Sequence, residues 1–270
     1  MKIVIAGFGY IGRETARRLA DRGHEVVGLR RTPSSELLSY VDVRAADVCD
    51  LDSIRRNVPA RTDALVYAAS PSSRSDLGYE NVYVKGLQNA LRACRPNRLV
   101  VLGSTGVAEF FDGRWIDEYT PIRPDRFTAR RLAQGEALTR AAGGTVLRLG
   151  GIYGPGRERL LRETIAGRQH IPESPLFTNR IHRDDAAEII VHTLGLERPA
   201  DCYFACDHEP ADFADVVRFI ASEAGVAGPT IGPHKRRAHK RCRNARLVRS
   251  GYRFLYPTYR EGYRALLGEK

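Results

Sequence analysis

Long apolar runs and paired cysteines are both missing from this sequence. No stretch approaches the ~18–20 apolar residues needed to cross a bilayer, so no membrane span is expected. The N-terminus opens on a strand-like run where a secreted protein has a basic region and a signal core, which makes the cytoplasm the default location. The five cysteines, Cys49, Cys94, Cys202, Cys206 and Cys242, form no Cys-x-x-Cys pair and no zinc-ligand spacing, and they read as reduced and structural. Internal repeats and low-complexity linkers are absent. Acid is the scarcer charge, 32 Asp+Glu against 43 Lys+Arg, for a formal net charge of +11. Much of the excess lies in the run 234–246. Neither a nucleic-acid fold signature nor a series of stacking aromatics accompanies it, which argues against nucleic acid as a partner. A solvated basic face that attracts an anionic substrate is the expectation.

What is present begins at the first residue. Residues 2–6 form a short β-branched run suited to a buried parallel strand, and they lead directly into Gly7-x-Gly9-x-x-Gly12 and a helical pattern. Gly7 permits the tight turn, Gly9 lets the backbone approach a diphosphate, and Gly12 allows helix and strand to pack closely. Gly7, Phe8, Gly9, Tyr10, Ile11 and Gly12 are therefore the expected dinucleotide turn, with the phosphates at the helix N-terminus. A helix over 10–22 follows, with Ile11, Ala16 and Leu19 on its buried face and Gly23 at its end. The second strand, 24–29, runs into Arg30 and Arg31. An acid at that place takes the ribose hydroxyl of NAD, whereas guanidinium suits the extra phosphate of NADP, so NADP is expected over NAD.

Further strands read at 41–46, 64–69, 98–103 and 145–149, alternating with a short helix that follows residues 47–52 and runs through Asn57 and with helices at 79–94 and 126–141. Asp47 either contacts the adenine end of the cofactor or caps the helix after it. Ala68 and Ala69 leave room for a cofactor to pass, and Ser104 stands at the C-terminal edge of the 98–103 strand. Residues 112–124 read as a surface excursion. The alternation predicts an α/β protein with a Rossmann doubly wound parallel sheet. A 1–150 NAD(P)-binding domain precedes a smaller 151–270 substrate-binding region, part of which, near 201–207, returns to the sheet.

Several stretches together resemble the extended short-chain dehydrogenases/reductases, the NAD-dependent epimerase/dehydratase family. They are the Gly7 to Gly12 turn, the serine-rich turn at 101–107, the segment 147–157 with Tyr153, the 180–187 stretch with His182, Asp184 and Asp185, and the terminal 252–267 helix. The resemblance implies hydride transfer to or from nicotinamide and a Tyr-x-x-x-Lys pair, with Ser104 orienting the reacting oxygen. Phe127 and Arg131 occupy the tyrosine and lysine positions, so the usual proton donor is missing. Arg131 is expected to hold the ribose. Tyr83 is the leading substitute acid, with Arg131 as the cation that activates it, and Tyr153 is the second. His182 is expected to begin and pack a helix, with Asp184 and Asp185 as helix N-terminal charges. The resemblance also implies pairing of two copies through the helices near 79–94 and 126–141.

The expected function is that of an NADP(H)-dependent oxidoreductase or epimerase-like enzyme. Its substrate would be a small carbonyl, alcohol or sugar-like molecule. The alternative is a catalytically silent NADP-binding regulatory or partner protein, and Phe127 keeps that alternative open.

Overall fold

A computed structural model describes residues 1–32, 41–59, 61–233 and 238–268. The chain begins with β1 (Lys2–Ala6), α1 (Tyr10–Ala20), β2 (Glu25–Arg30), β3 (Asp42–Ala45), α2 (Leu51–Asn57) and β4 (Ala64–Tyr67). It continues through α3 (Asp76–Glu80), a π-helical segment Asn81–Gly86, α4 (Leu87–Cys94), β5 (Arg98–Ser104), β6 (Phe111–Ile116), α5 (Phe127–Ala141) and β7 (Thr145–Leu149). Next come β8 (Gly151–Tyr153), α6 (Arg159–Ile165), β9 (Phe177–Thr178), β10 (Arg180–His182), α7 (Arg183–Gly195) and β11 (Cys202–Ala205). The last elements are β12 (Ala211–Asp212), α8 (Phe213–Glu223), β13 (His239–Cys242), α9 (Ala245–Arg249) and α10 (Tyr259–Gly268).

Seven strands form one sheet in the order β11-β7-β5-β4-β1-β2-β3. The pairs β1–β2, β1–β4, β2–β3 and β4–β5 are parallel. This is the doubly wound α/β arrangement. Its strand order reverses between β1 and β4, the place where such sheets open a crevice at their carboxyl ends. The β-branched and leucine-rich strands are buried on both faces, and Val4, Val27, Leu65, Leu87 and Val101 belong to one core cluster. Each such side chain contributes about 1.5–3 kcal/mol of burial.

Two compact units divide the chain, and a single cut at 150 does not describe them. Unit 1 comprises Met1–Ala108, Arg123–Arg148 and Ala187–Tyr203, and unit 2 comprises Glu109–Ile122, Leu149–Ala186 and Phe204–Lys270. The 109–122 segment belongs to unit 2 because it is not a loop excursion. Its strand β6 pairs in parallel with β13, setting His239 opposite Phe111 and Arg241 opposite Trp115.

Two helical expectations also need correction. The helix expected over 79–94 starts earlier and passes through a π-helical turn. The Tyr67 hydroxyl donates to the Val82 carbonyl at 2.6 Å, and a Cβ on Gly86 would lie 2.6 Å from the same oxygen. A phenol inserted there widens the turn, a recognised cause of π-bulges. The terminal helix starts at Tyr259 and not at 252, because residues 252–256 are tied to a buried carboxylate described below.

Candidate cofactor site

Within unit 1 a groove of about 460 Å³ opens at the carboxyl ends of the first four strands. The turn after β1 contributes Gly7, Phe8 and Gly9, and the exit of β2 contributes Leu29, Arg30, Arg31 and Thr32. Ala46, Asp47, Val48 and Cys49 follow β3, while Ala68 and Ala69 lead residues 70–73 away from β4. Eight of the eleven residues expected at the cofactor line this groove. Tyr10, Ile11 and Gly12 do not, and Ile11 is buried in the core.

The glycines divide the labour as steric argument requires. Gly7 has φ of +100°, and a Cβ there would lie 2.3 Å from the Ala69 nitrogen. A Cβ on Gly12 would meet the Gly7 carbonyl oxygen at 2.5 Å, whereas one on Gly9 meets nothing within 4 Å. Gly7 and Gly12 thus serve the fold, and Gly9 borders open space. The α1 N-terminus carries no acid in its first turn and no side-chain cap. Its first amides lack intrahelical acceptors, as at any helix start, so they suit a diphosphate. Gly28, which no motif in the sequence marks, makes room for the Phe8 ring; a Cβ there would lie 2.3 Å from it.

Arg30 is half-buried and Arg31 exposed, and among the described residues neither pairs with a carboxylate. Asp47 lines the groove and accepts the Cys49 amide at 2.9 Å. The cap of α2 is instead Asp50, which accepts from the amides of Asp52 and Ser53, so the capping role considered for Asp47 falls away. Asn81 and Val82 of the π-helical segment complete the wall. No periodicity signals them, because the widened turn depends on Tyr67.

Unit 1 also holds Ser104, Tyr83, Phe127 and Arg131. Ser104 ends β5, and its Oγ accepts the Gly106 amide at 3.0 Å. Phe127, at the start of α5, meets the Tyr79 ring edge-on at 5.6 Å, and Tyr79 in turn lies 5.3 Å from Tyr83. Burial, reinforced by Tyr79, pushes the Tyr83 phenol up to about 12. Arg131 does not activate it. The guanidinium pairs with Asp76 at 2.7 Å and with Glu80 at 3.0 Å, so its charge is answered by two carboxylates. Both acids lie some fifty residues upstream on α3, where no local spacing links them to Arg131.

Tyr153 is not on an open loop. It ends β8 in unit 2, is 5 % exposed, and stacks on Tyr263 at 4.7 Å. Its hydroxyl is buried and burial drives its pKa far upward. His182 packs at the start of α7, 4.0 Å from the Tyr256 ring. Asp184 and Asp185 stand in the first turn of α7 as expected, and Asp185 is fully buried, accepting from the Tyr252 hydroxyl at 2.7 Å and the amides of Leu255 and Tyr256 at 2.8 and 2.9 Å. The described cysteines are all free.

The sequence model of the NAD dependent epimerase/dehydratase family matches residues 3–198. Protein YeeZ of Escherichia coli strain K12 is 29% identical over 219 residues, which make up 76% of this chain and 77% of YeeZ. A solved structure of a candidate NAD-dependent epimerase/dehydratase from Methylobacillus flagellatus is 38% identical. It aligns over 99% of this chain and 98% of its own, with a TM-score of 0.87. A functionally unknown conserved protein from Silicibacter pomeroyi is 27% identical over 99% and 98% of the two chains, with a TM-score of 0.78.

Proposed function

Since the chain belongs to the NAD-dependent epimerase/dehydratase family, we propose that it binds NADP(H) in the unit 1 groove and acts as an oxidoreductase or epimerase-like enzyme. Its substrate is a small carbonyl, alcohol or sugar-like molecule. The observation that carries this reading is the shared wall of the groove, where the glycine turn lines one cavity with two guanidiniums that pair with no carboxylate among the described residues. The residues present fit the group. Gly9 leaves open space where a diphosphate runs, the first turn of α1 offers amides, and Arg30 and Arg31 supply planar donors for a ribose phosphate. Bound there, the dinucleotide supplies a nicotinamide carbon that gives or takes a hydride.

Ser104 orients the reacting oxygen. For the proton we assign Tyr79 ahead of Tyr83. Tyr79 packs directly on Phe127, the side chain that stands where the family has its acid, while Tyr83 lies one ring further away and holds its proton up to about 12. Arg131, braced by Asp76 and Glu80, keeps a fixed positive charge beside this aromatic group.

Calorimetry with NADPH and NADH tests the cofactor assignment. NADPH is expected to bind at least ~10-fold more tightly, and Arg30→Ala with Arg31→Ala to erase the difference, since a charge-assisted hydrogen bond is worth about 1.5–3 kcal/mol. NADPH consumption against a carbonyl panel tests the chemistry. Tyr79→Phe is expected to lower turnover by ~10²–10⁴, and Tyr83→Phe to leave it nearly intact. A second reading rests on Phe127 itself: a silent NADP-binding protein predicts tight NADPH binding with no consumption by any carbonyl, and no gain in Phe127→Tyr.

A further inference from the structure

The positive charge of this chain is concentrated in one stretch. Ten lysines and arginines and not one aspartate or glutamate fall in residues 224–260, so the rest of the chain is close to neutral. Residues 234–237 of the basic run lie outside the described residues. The remainder is only partly the solvated basic face expected from the sequence: Arg243 and Arg249 are exposed, while other cations of the run pack inward. Lys240 is buried, and Arg241 crosses to the 109–122 segment, donating to the Gly113 carbonyl at 2.7 Å. The Arg241 guanidinium lies 4.4 Å from the centre of the Phe177 ring and 5.1 Å from that of Trp115. Arg243 covers Trp115 at 5.4 Å, and Arg246 covers Tyr119 at 4.3 Å.

The β6–β13 pairing thus supplies the stacking aromatics that the basic run lacks in sequence. Trp115 remains 45 % exposed and Tyr119 74 %. Among the described residues Arg241, Arg243, Arg249 and Arg253 form no ion pair. Nearby acids are engaged locally: Asp112 by Arg114, Asp117 by the Tyr119 amide and Thr120 hydroxyl, and Glu118 by the Phe204 amide.

We infer that this face of unit 2 binds single-stranded nucleic acid. A guanidinium stacked on a ring keeps its in-plane N–H groups available to a phosphate, and exposed ring and guanidinium planes accept unstacked bases. Alternating flat faces with cations is what a flexible polynucleotide uses along its length. An acidic peptide would engage the charges alone and leave the exposed indole and phenol without a role.

The full chain is titrated with a fluorescein-labelled oligothymidylate of about 15 nucleotides, within the site sizes such surfaces cover. Anisotropy is expected to rise and the emission of Trp115, the single tryptophan, to fall over the same range. Affinity is expected to drop with salt by a log–log slope of about −3, at roughly −0.7 per phosphate neutralised. Tyr119→Ala is expected to weaken binding at least ~5-fold, the low end for one stacked base, and Arg243→Gln to flatten the salt slope. Both side chains are exposed, and melting curves check that the variants fold. Flat anisotropy at low salt would overturn the inference, as would binding that leaves Trp115 emission and both variants unaffected. Displacement of the oligonucleotide by polyglutamate at equal charge would overturn it too, in favour of an acidic protein partner.

Discussion

Unit 1 and unit 2 each bury a carboxylate, and they satisfy it by different means. In unit 1, Glu136 on α5 is 3 % exposed and takes two hydrogen bonds of 2.8 Å from Arg148 on β7, itself 2 % exposed. In unit 2, Asp185 pairs with no cation among the described residues; a phenol and two amides from residues 252–256 satisfy it. The ion pair joins a fifteen-residue helix to a five-residue strand, elements that form on their own pattern. The neutral donors hold a segment with no regular structure, so that segment has its shape because of Asp185. A third carboxylate, Asp207 in unit 2, is 1 % exposed and only half satisfied, with Oδ1 accepting the Glu209 amide and Oδ2 finding no partner among the described residues.

Breaking the unit 1 pair should cost most. Glu136→Ala leaves the Arg148 guanidinium buried without its counter-charge, and urea denaturation should register a loss of about 3–5 kcal/mol. Glu136→Leu combined with Arg148→Met should recover most of it. A double variant as weak as the single one would mean that the charge pair itself, and not the unpaired arginine, carries the stability.

In unit 2, Asp185→Asn keeps shape and one acceptor but turns a donor toward a donor. The expected cost is about 1–3 kcal/mol, together with faster amide exchange at Leu255 and Tyr256. Unchanged exchange at those amides would contradict the idea that the carboxylate shapes the segment.

The groove of unit 1 should respond in the opposite way to both. Gly9→Ala meets no atom within 4 Å, so its melting point should match the parent while NADPH affinity falls ~10-fold, about 1.4 kcal/mol. Equal losses of stability and affinity would show that Gly9 serves the fold as Gly7 does.

Asp207 gives the smallest effect and the clearest sign. Burial raises its pKa well above the usual carboxylate range, so the folded protein binds that proton more tightly than the unfolded chain. The stability tied to it is fully present below about pH 4, the unfolded value, and is lost as pH rises through the folded one. Asp207→Asn holds the site neutral, so melts should show a flatter pH dependence and a variant more stable than the parent near neutrality. A variant that melts lower there would mean that the charged form is favourable in place.

Much of unit 1 was legible because its signals are local. A β-branched run ending in Gly7, Gly9 and Gly12 carries strand, turn and helix within twenty residues, and Arg30 and Arg31 follow β2 directly. The expectations that failed each depend on a partner far along the chain. Arg131 is paired with Asp76 and Glu80, the π-helical turn answers to the Tyr67 hydroxyl, and β6 finds its partner about 125 residues later. Asp184 and Asp185 are identical neighbours in composition, yet one is half-buried and the other fully enclosed.

The sequence by itself determined the doubly wound sheet, the dinucleotide turn and the absence of a tyrosine at position 127, because hydrophobic period, glycine stereochemistry and residue identity need no distant partner. Only the tertiary structure decided which arginines keep an unanswered charge and which carboxylates are buried. A charge is set by whatever lies within a few ångströms of it, and in this chain those neighbours come from segments that the linear order keeps apart.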